Sequence, residues 1–267
     1  MKRIPGRWCW GALAVAGTIC VSRSCAAEAP SVVGVSLDAS LLSAYVWRGQ
    51  VLSDEPVLQP SLTVTQEGFA LNVWGNVNLT DISTEDETEY TEIDLTPSYS
   101  RKVGPVALGV GYVEYLFPHQ TVTSADGTNQ VAAPGTRELY VSAGLPNLIG
   151  APTVAAYYDF DEIEGTYLML TGGYSTKRMN DKVCPGMSAC IGFGTDQYNK
   201  GYFGVDKAAF NDLTLTGSVG CTLGKNLVLT PVVQYVRLLD SEIREASKSR
   251  YKDDSQVVGS IKLSYTF

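Results

Sequence analysis

Histidine is almost missing from this chain: there is one, His119, in 267 residues. That excludes metal centres built on several imidazoles and proton relays through paired histidines. Bases are also scarce, with 20 Lys+Arg against 28 Asp+Glu for a formal charge of −8. A nucleic-acid partner needs a basic face, so none is expected. Charged residues make up only 18%, little for a water-soluble surface, while 45% apolar residues are too many for disorder. No transmembrane helix is expected after the first 27 residues. The longest uncharged stretch, 139–158, is interrupted by Pro146, Asn147, Gly150 and Pro152 and reads as two strands and a turn.

The N-terminus reads as a secretory signal. Lys2, Arg3 and Arg7 precede the apolar run 8–22, and Cys25-Ala26-Ala27 offers small residues for cleavage after Ala27. Arg23 ends the run well short of the about 20 residues that a helical anchor needs. Ser22-Arg23-Ser24 makes a poor lipobox before Cys25. Residues 28–267 are then a single domain. Losing Lys2, Arg3, Arg7 and Arg23 takes four positive charges from the formal −8 and leaves −12. Cys9, Cys20 and Cys25 leave with the signal. Of the rest, Cys184 and Cys190 are close enough in sequence to pair in an oxidising compartment, with Cys221 left over.

What the chain has in quantity is period-two alternation. Leu213, Leu215, Gly217, Val219, Cys221 and Leu223 share one face of a segment whose other face is Thr214, Thr216, Ser218, Gly220 and Thr222. The last segment sets Val257, Gly259, Ile261, Leu263, Tyr265 and Phe267 against Ser260, Lys262, Ser264 and Thr266. Twelve such strands are expected, at 35–48, 57–66, 69–80, 90–100, 105–117, 137–145, 153–160, 166–177, 187–196, 213–223, 227–239 and 256–267. The segment 201–210 also has strand character and competes with the ninth.

The connections between these strands alternate. One set averages about twelve residues and the other about five. Long loops on one side and short turns on the other predict an all-β, up-and-down antiparallel transmembrane barrel of about twelve strands, with the turns in the periplasm. Aromatics at predicted strand ends suggest interfacial girdles: Tyr45 and Trp47 above, Phe69, Tyr99, Tyr265 and Phe267 below. A secreted β-sandwich also alternates, but it would put polar residues where this chain puts Leu, Val and Ile.

Particular motifs carry a resemblance. Ser43-Ala44-Tyr45-Val46-Trp47-Arg48-Gly49, Gln59-Pro60-Ser61-Leu62, Glu92-Ile93-Asp94, Gly111-Tyr112-Val113-Glu114-Tyr115-Leu116-Phe117-Pro118 and Glu138-Leu139-Tyr140 resemble the TorF-family porins of Gram-negative outer membranes. The likeness runs from about residue 35 to 175 and implies a barrel with a passive pore, without supplying a substrate. Tyr202-Phe203-Gly204-Val205 and the terminal Phe267 resemble, more weakly, MltA-interacting outer-membrane proteins.

No catalytic residue, cofactor or metal site is expected. His119 follows Pro118 at the head of the longest loop with no motif around it. Gly109-Val110-Gly111 lies within a strand and lacks the helix a dinucleotide loop requires, so its glycines are read as permitting close packing. No acidic run has the spacing of a calcium loop.

The functional candidates are residues on the inward face: Arg48, Trp74, Glu92, Asp94, Glu138, Asp159 and Lys262. Charge is costly in hydrocarbon, so the ionisable ones must face water or one another inside the barrel. The predicted outer connections hold 18 acids and 6 bases, including Asp81, Glu85, Asp86, Glu87 and Glu89. Such a face concentrates cations or bridges divalent ions to lipopolysaccharide. The expected function is a narrow passive pore for small cationic or neutral solutes. Its surroundings are outer-membrane lipids and lipopolysaccharide. The alternative is a non-conducting barrel that recruits periplasmic murein-modifying proteins.

Overall fold

The structure is a computed structural model and describes residues 33–79, 90–118, 121–123, 130–176, 178, 182–251 and 253–267. Residues 1–27, expected to be a signal, the acids of 81–89 and His119 lie outside the described residues. In chain order the elements are β1 (Gly34–Leu42), β2 (Tyr45–Trp47), β3 (Gln50–Ser53), β4 (Val57–Gln66), β5 (Phe69–Asn78), β6 (Tyr90–Val103) and β7 (Val106–Leu116). There follow β8 (Thr121–Thr123), β9 (Gln130–Ala132), β10 (Thr136–Gly144), β11 (Thr153–Asp159), β12 (Thr166–Ser175) and β13 (Val183–Gly194). The last are α1 (Asp196–Phe203), β14 (Ala209–Thr222), β15 (Leu227–Leu238), α2 (Ser241–Arg250) and β16 (Ser255–Thr266).

Twelve strands form a closed antiparallel barrel in the order β1-β16-β15-β14-β13-β12-β11-β10-β7-β6-β5-β4. Every wall strand pairs with its neighbour in the chain, because short turns favour hairpins. Closure comes from β1, where Leu37 lies opposite Leu62 of β4 on one side and Tyr265 of β16 on the other. A closed ring leaves no edge carrying unpaired backbone groups, which is what permits a sheet to sit in hydrocarbon.

The alternation sorts inside from outside as the sequence suggests. On β14, Leu215 and Val219 are exposed on the outer face, Thr216 is buried and Ser218 half-buried. On β16, Val257, Ile261 and Leu263 face out while Val258 and Lys262 are buried. Gly111 leaves no room for a Cβ because the Tyr140 ring lies against it, so the glycine is needed for close approach. At the periplasmic end Phe69 packs on Tyr99 and Tyr265 on Phe267, with centroids 4.7 and 4.9 Å apart.

Four expectations are corrected. The first wall strand ends at Leu42, not 48, and residues 45–53 form a separate hairpin of β2 and β3. Tyr45 and Trp47 are therefore not a lipid-facing girdle: they are 2% and 6% exposed, inside the barrel. The outer girdle comes instead from exposed Tyr90, Tyr158, Phe160 and Phe210. The ninth strand starts at Val183, and the competing stretch 201–210 contributes the end of α1 and the start of β14.

The fourth correction concerns the disulfide. Cys184 and Cys190 lie six residues apart on the single strand β13, and no disulfide joins them. An extended chain rises about 3.3 Å per residue, which holds their Cα atoms about 20 Å apart. A disulfide spans only about 4.4–6.8 Å between Cα atoms.

Candidate functional site: a hairpin across the lumen

The β2–β3 hairpin begins where Leu42 and Ala44 turn inward. Its register pairs Trp47 with Gln50 around a two-residue loop, Arg48-Gly49. Both loop residues have positive φ, 47° and 81°, as a tight hairpin turn of matching twist requires. Glycine accepts that backbone freely. Gly49 is also wedged where a Cβ would collide with the Leu238 side chain. Arg48 adopts it at a cost in strain, which its contacts offset.

Those contacts lie across the barrel. Arg48 Nη1 and Nη2 donate to Glu138 Oε1 and Oε2 of β10, each at 2.7 Å. The guanidinium lies over the rings of Trp47, Tyr157 and Tyr167, at 4.5, 4.6 and 4.5 Å from their centroids, with Tyr198 of α1 at 5.9 Å. In the ring of twelve, β11, which carries Tyr157, stands diametrically opposite β1. The hairpin thus bridges the lumen from one wall to the other. The Tyr115 hydroxyl donates to Glu138 Oε2 at 2.9 Å, a third bond to that carboxylate.

The outer-side helices pack on the same centre. Thr195 caps α1 by accepting from the Tyr198 N–H, and Gly204 ends it in the left-handed region. Asn199 and Asn211 lock it to the wall. Asn211 Nδ2 donates to Asn199 Oδ1, Asn199 Nδ2 donates to the Gly194 and Lys207 carbonyls, and the Gly194 N–H donates to Asn211 Oδ1. Tyr202 stacks edge-on against Trp47 at 5.2 Å. Asp240 caps α2 through the Glu242 and Ile243 N–H groups and accepts from Lys207 Nζ at 2.8 Å. That bond from Lys207 is the chief reason the Asp240 carboxyl titrates below its ordinary value.

Each residue singled out from sequence has a definite place. Arg48 and Glu138 are the buried pair just described, 90 positions apart in the chain. Glu92 and Asp94 are buried on the inward face of β6, with Trp74 half-buried beside them on β5. Asp159 is buried but serves its own loop, accepting from Thr136 Oγ1 at 2.7 Å and from the Asp161 and Ile163 N–H groups. Lys262 is buried on β16 with Nζ 3.9 Å from Asp38 Oδ1. Asp38 in turn accepts from the Ser264 hydroxyl.

The aromatic cage was not anticipated: Tyr45, Trp47, Tyr115, Tyr157, Tyr167, Tyr198 and Tyr202. A signal for part of it existed. Tyr157 has the same strand parity as inward Asp159, and Tyr115 shares the inward face of β7 with Val113.

The inner wall changes character along its depth. Around the hairpin it is rich in aromatics and mostly buried. Toward the periplasmic end Ser36, Asn72, Ser98, Ser142, Ser188 and Ser218, from six different strands, are only partly buried. Among the described residues the buried acids are Glu92, Asp94, Glu138, Asp159, Asp212 and Asp254, against the bases Arg48 and Lys262.

A closed twelve-strand barrel with an apolar exterior and a polar interior is a porin-like outer-membrane β-barrel, and the outer membrane is its location. The family model described as "Bacterial protein of unknown function (Gcw_chp)" matches residues 26–180, and the chain belongs to that family. The matched segment carries the whole hairpin, Glu92, Asp94, Glu138 and Asp159. No curated protein matches the chain in sequence.

Among solved structures, the chain is similar in fold to the KdgM porin. The TM-score is 0.50 at 10% identity, covering 88% of this chain and 99% of that one. A second structure, "KdgM porin in complex with disordered oligogalacturonate", gives 0.50 at 9% identity over the same shares. The NanC porin gives 0.48 at 11% identity, over 86% of this chain and 98% of that one.

Proposed function

We propose that this protein is a narrow passive pore for small solutes, throttled near its outer end by the β2–β3 hairpin. The reading rests chiefly on the lower inner wall. Six strands present small hydroxyl or amide side chains that keep partial contact with solvent. A barrel serving only as a solid scaffold would fill that volume with apolar side chains. The likeness to TorF-family porins points the same way. Arg48, Trp74, Glu92, Asp94, Glu138 and Lys262 are then the residues that shape the passage, and Asp159 fixes the loop beside it.

The balance of buried charge favours cationic or neutral solutes. With Asp254 paired to Arg244, five buried acids remain against two buried bases among the described residues and set a negative interior field, which low-dielectric walls strengthen. The oligogalacturonate bound by the KdgM porin is an acidic polymer, and this interior suits such a solute poorly.

Single-channel recording of refolded protein in planar bilayers tests the proposal. We expect small steps with cation preference at low salt, fading as salt rises and screening shortens. Replacing residues 43–55 by a short turn should enlarge the steps. Anion preference would refute the charge argument. Absence of current in both proteins would favour the second reading, a non-conducting barrel that recruits periplasmic proteins through its short turns. The burial of the hairpin tip, Trp47 to Val51, speaks for that alternative.

A further inference from the structure

The hairpin neutralises Glu138 but leaves two other buried carboxylates without a base. Glu92 and Asp94 follow one another on the inward face of β6, 5% and 9% exposed. Directly across on β5 stand Asn76 and Trp74, and Ser61 of β4 continues the row beyond Trp74. Tyr45 of the hairpin closes the corner. Its hydroxyl donates to Glu92 Oε2 at 2.8 Å, and its ring lies 5.8 Å from that of Trp74, tilted by 52°. Among the described residues no salt bridge reaches Glu92 or Asp94, while both terminal nitrogens of Arg48 are committed to Glu138. Asp94 Oδ1 is buried with no hydrogen-bond partner among the described residues. An acceptor withdrawn from water and left unbonded is costly, and two adjacent carboxylates deepen the cost.

We propose that this corner is a binding site for a protonated amine carried through the lumen. An ammonium group donates hydrogen bonds to both carboxylates and presents its charge to the aromatic rings, so one ligand answers every feature of the corner. A bare metal ion fits worse. A hard divalent cation needs about six or more oxygens, and no group of three metal-binding side chains occurs among the described residues. The inference names a solute class for the pore reading and rests on that reading for transit, though not for binding.

The test uses the refolded mature chain in detergent, where Trp47 and Trp74 are the only tryptophans once the signal is removed. Ethylammonium chloride is titrated against potassium chloride at equal ionic strength while tryptophan emission is followed. A saturable change is expected with ethylammonium alone. Asp94→Asn and Glu92→Gln should each weaken it roughly tenfold or more, since each removes one charged partner of the ammonium. Folding of the variants is checked by heat-modifiable gel mobility. If they misfold, the wild-type preference for ethylammonium over potassium decides alone. An equal response to both salts, or unchanged affinity in both folded variants, overturns the site. Channel current without saturable binding overturns the site and leaves the pore reading intact. Binding without current does the reverse.

Discussion

Arg48→Ala is the perturbation that isolates the hairpin from the barrel. It removes two charge-assisted bonds of 2.7 Å and leaves the Glu138 carboxylate, 1% exposed, with only the Tyr115 hydroxyl as a side-chain donor among the described residues. Breaking one side of a buried ion pair costs about 3–5 kcal/mol. Losing the contacts to three rings within 4.6 Å adds to that. The partners stand on the wall, but the strand ladders that hold the wall together do not involve Arg48. The cost therefore falls on docking of the hairpin, whose undocked fraction should rise by roughly 10²–10⁴, at 1.4 kcal/mol per tenfold. In planar bilayers the variant should show larger or noisier openings, while its unfolding midpoint in urea moves little. The double variant Arg48→Met with Glu138→Leu leaves no charge unpaired, so it should behave more like wild type than Arg48→Met alone. Identical currents in wild type and Arg48→Ala would refute the argument that this ion pair keeps the passage narrow.

Other expectations follow from the register and the caps. Leu215 sits mid-strand on the outer face of β14, so Leu215→Arg should cost about 2–4 kcal/mol of barrel stability, and Thr216→Arg on the inner face should instead alter current. Val219 lies nearer the turn, so arginine there should cost less; equal losses at 215 and 216 in urea unfolding would contradict the register. Asp240→Ala should loosen α2 by about 1 kcal/mol, the usual worth of an N-cap, read as faster amide exchange over Ser241–Arg250. Because the Asp240 pKa is lowered in the fold, its contribution is present above the ordinary carboxylate value of about 4. It fades as pH falls through the lower folded value, and α2 exchange should rise there. Peptide mapping without reduction should find no bridge between Cys184 and Cys190; finding one would mean that β13 is not extended as described.

Local chemistry determined much of this protein. Alternation placed ten of the twelve wall strands close to their observed limits and set Leu215 outside and Thr216 inside. Those are properties of neighbours in the chain, with a side-chain period fixed by backbone geometry. Strand 35–48 misled because Tyr45, Trp47 and their neighbours alternate as a wall strand does, while pleating alone does not say which wall a strand joins. The partner of Arg48 is 90 residues away, on a strand that only barrel closure brings within reach. The aromatic cage likewise draws on β2, β7, β11, β12 and α1, elements whose meeting depends on ring closure and on a loop folding inward rather than out. Inward charge was legible because hydrocarbon forbids its placement outside. Which charges pair, and which carboxylates are left without a base, was decided by the tertiary structure, because pairing depends on distances across a lumen that no local pattern encodes.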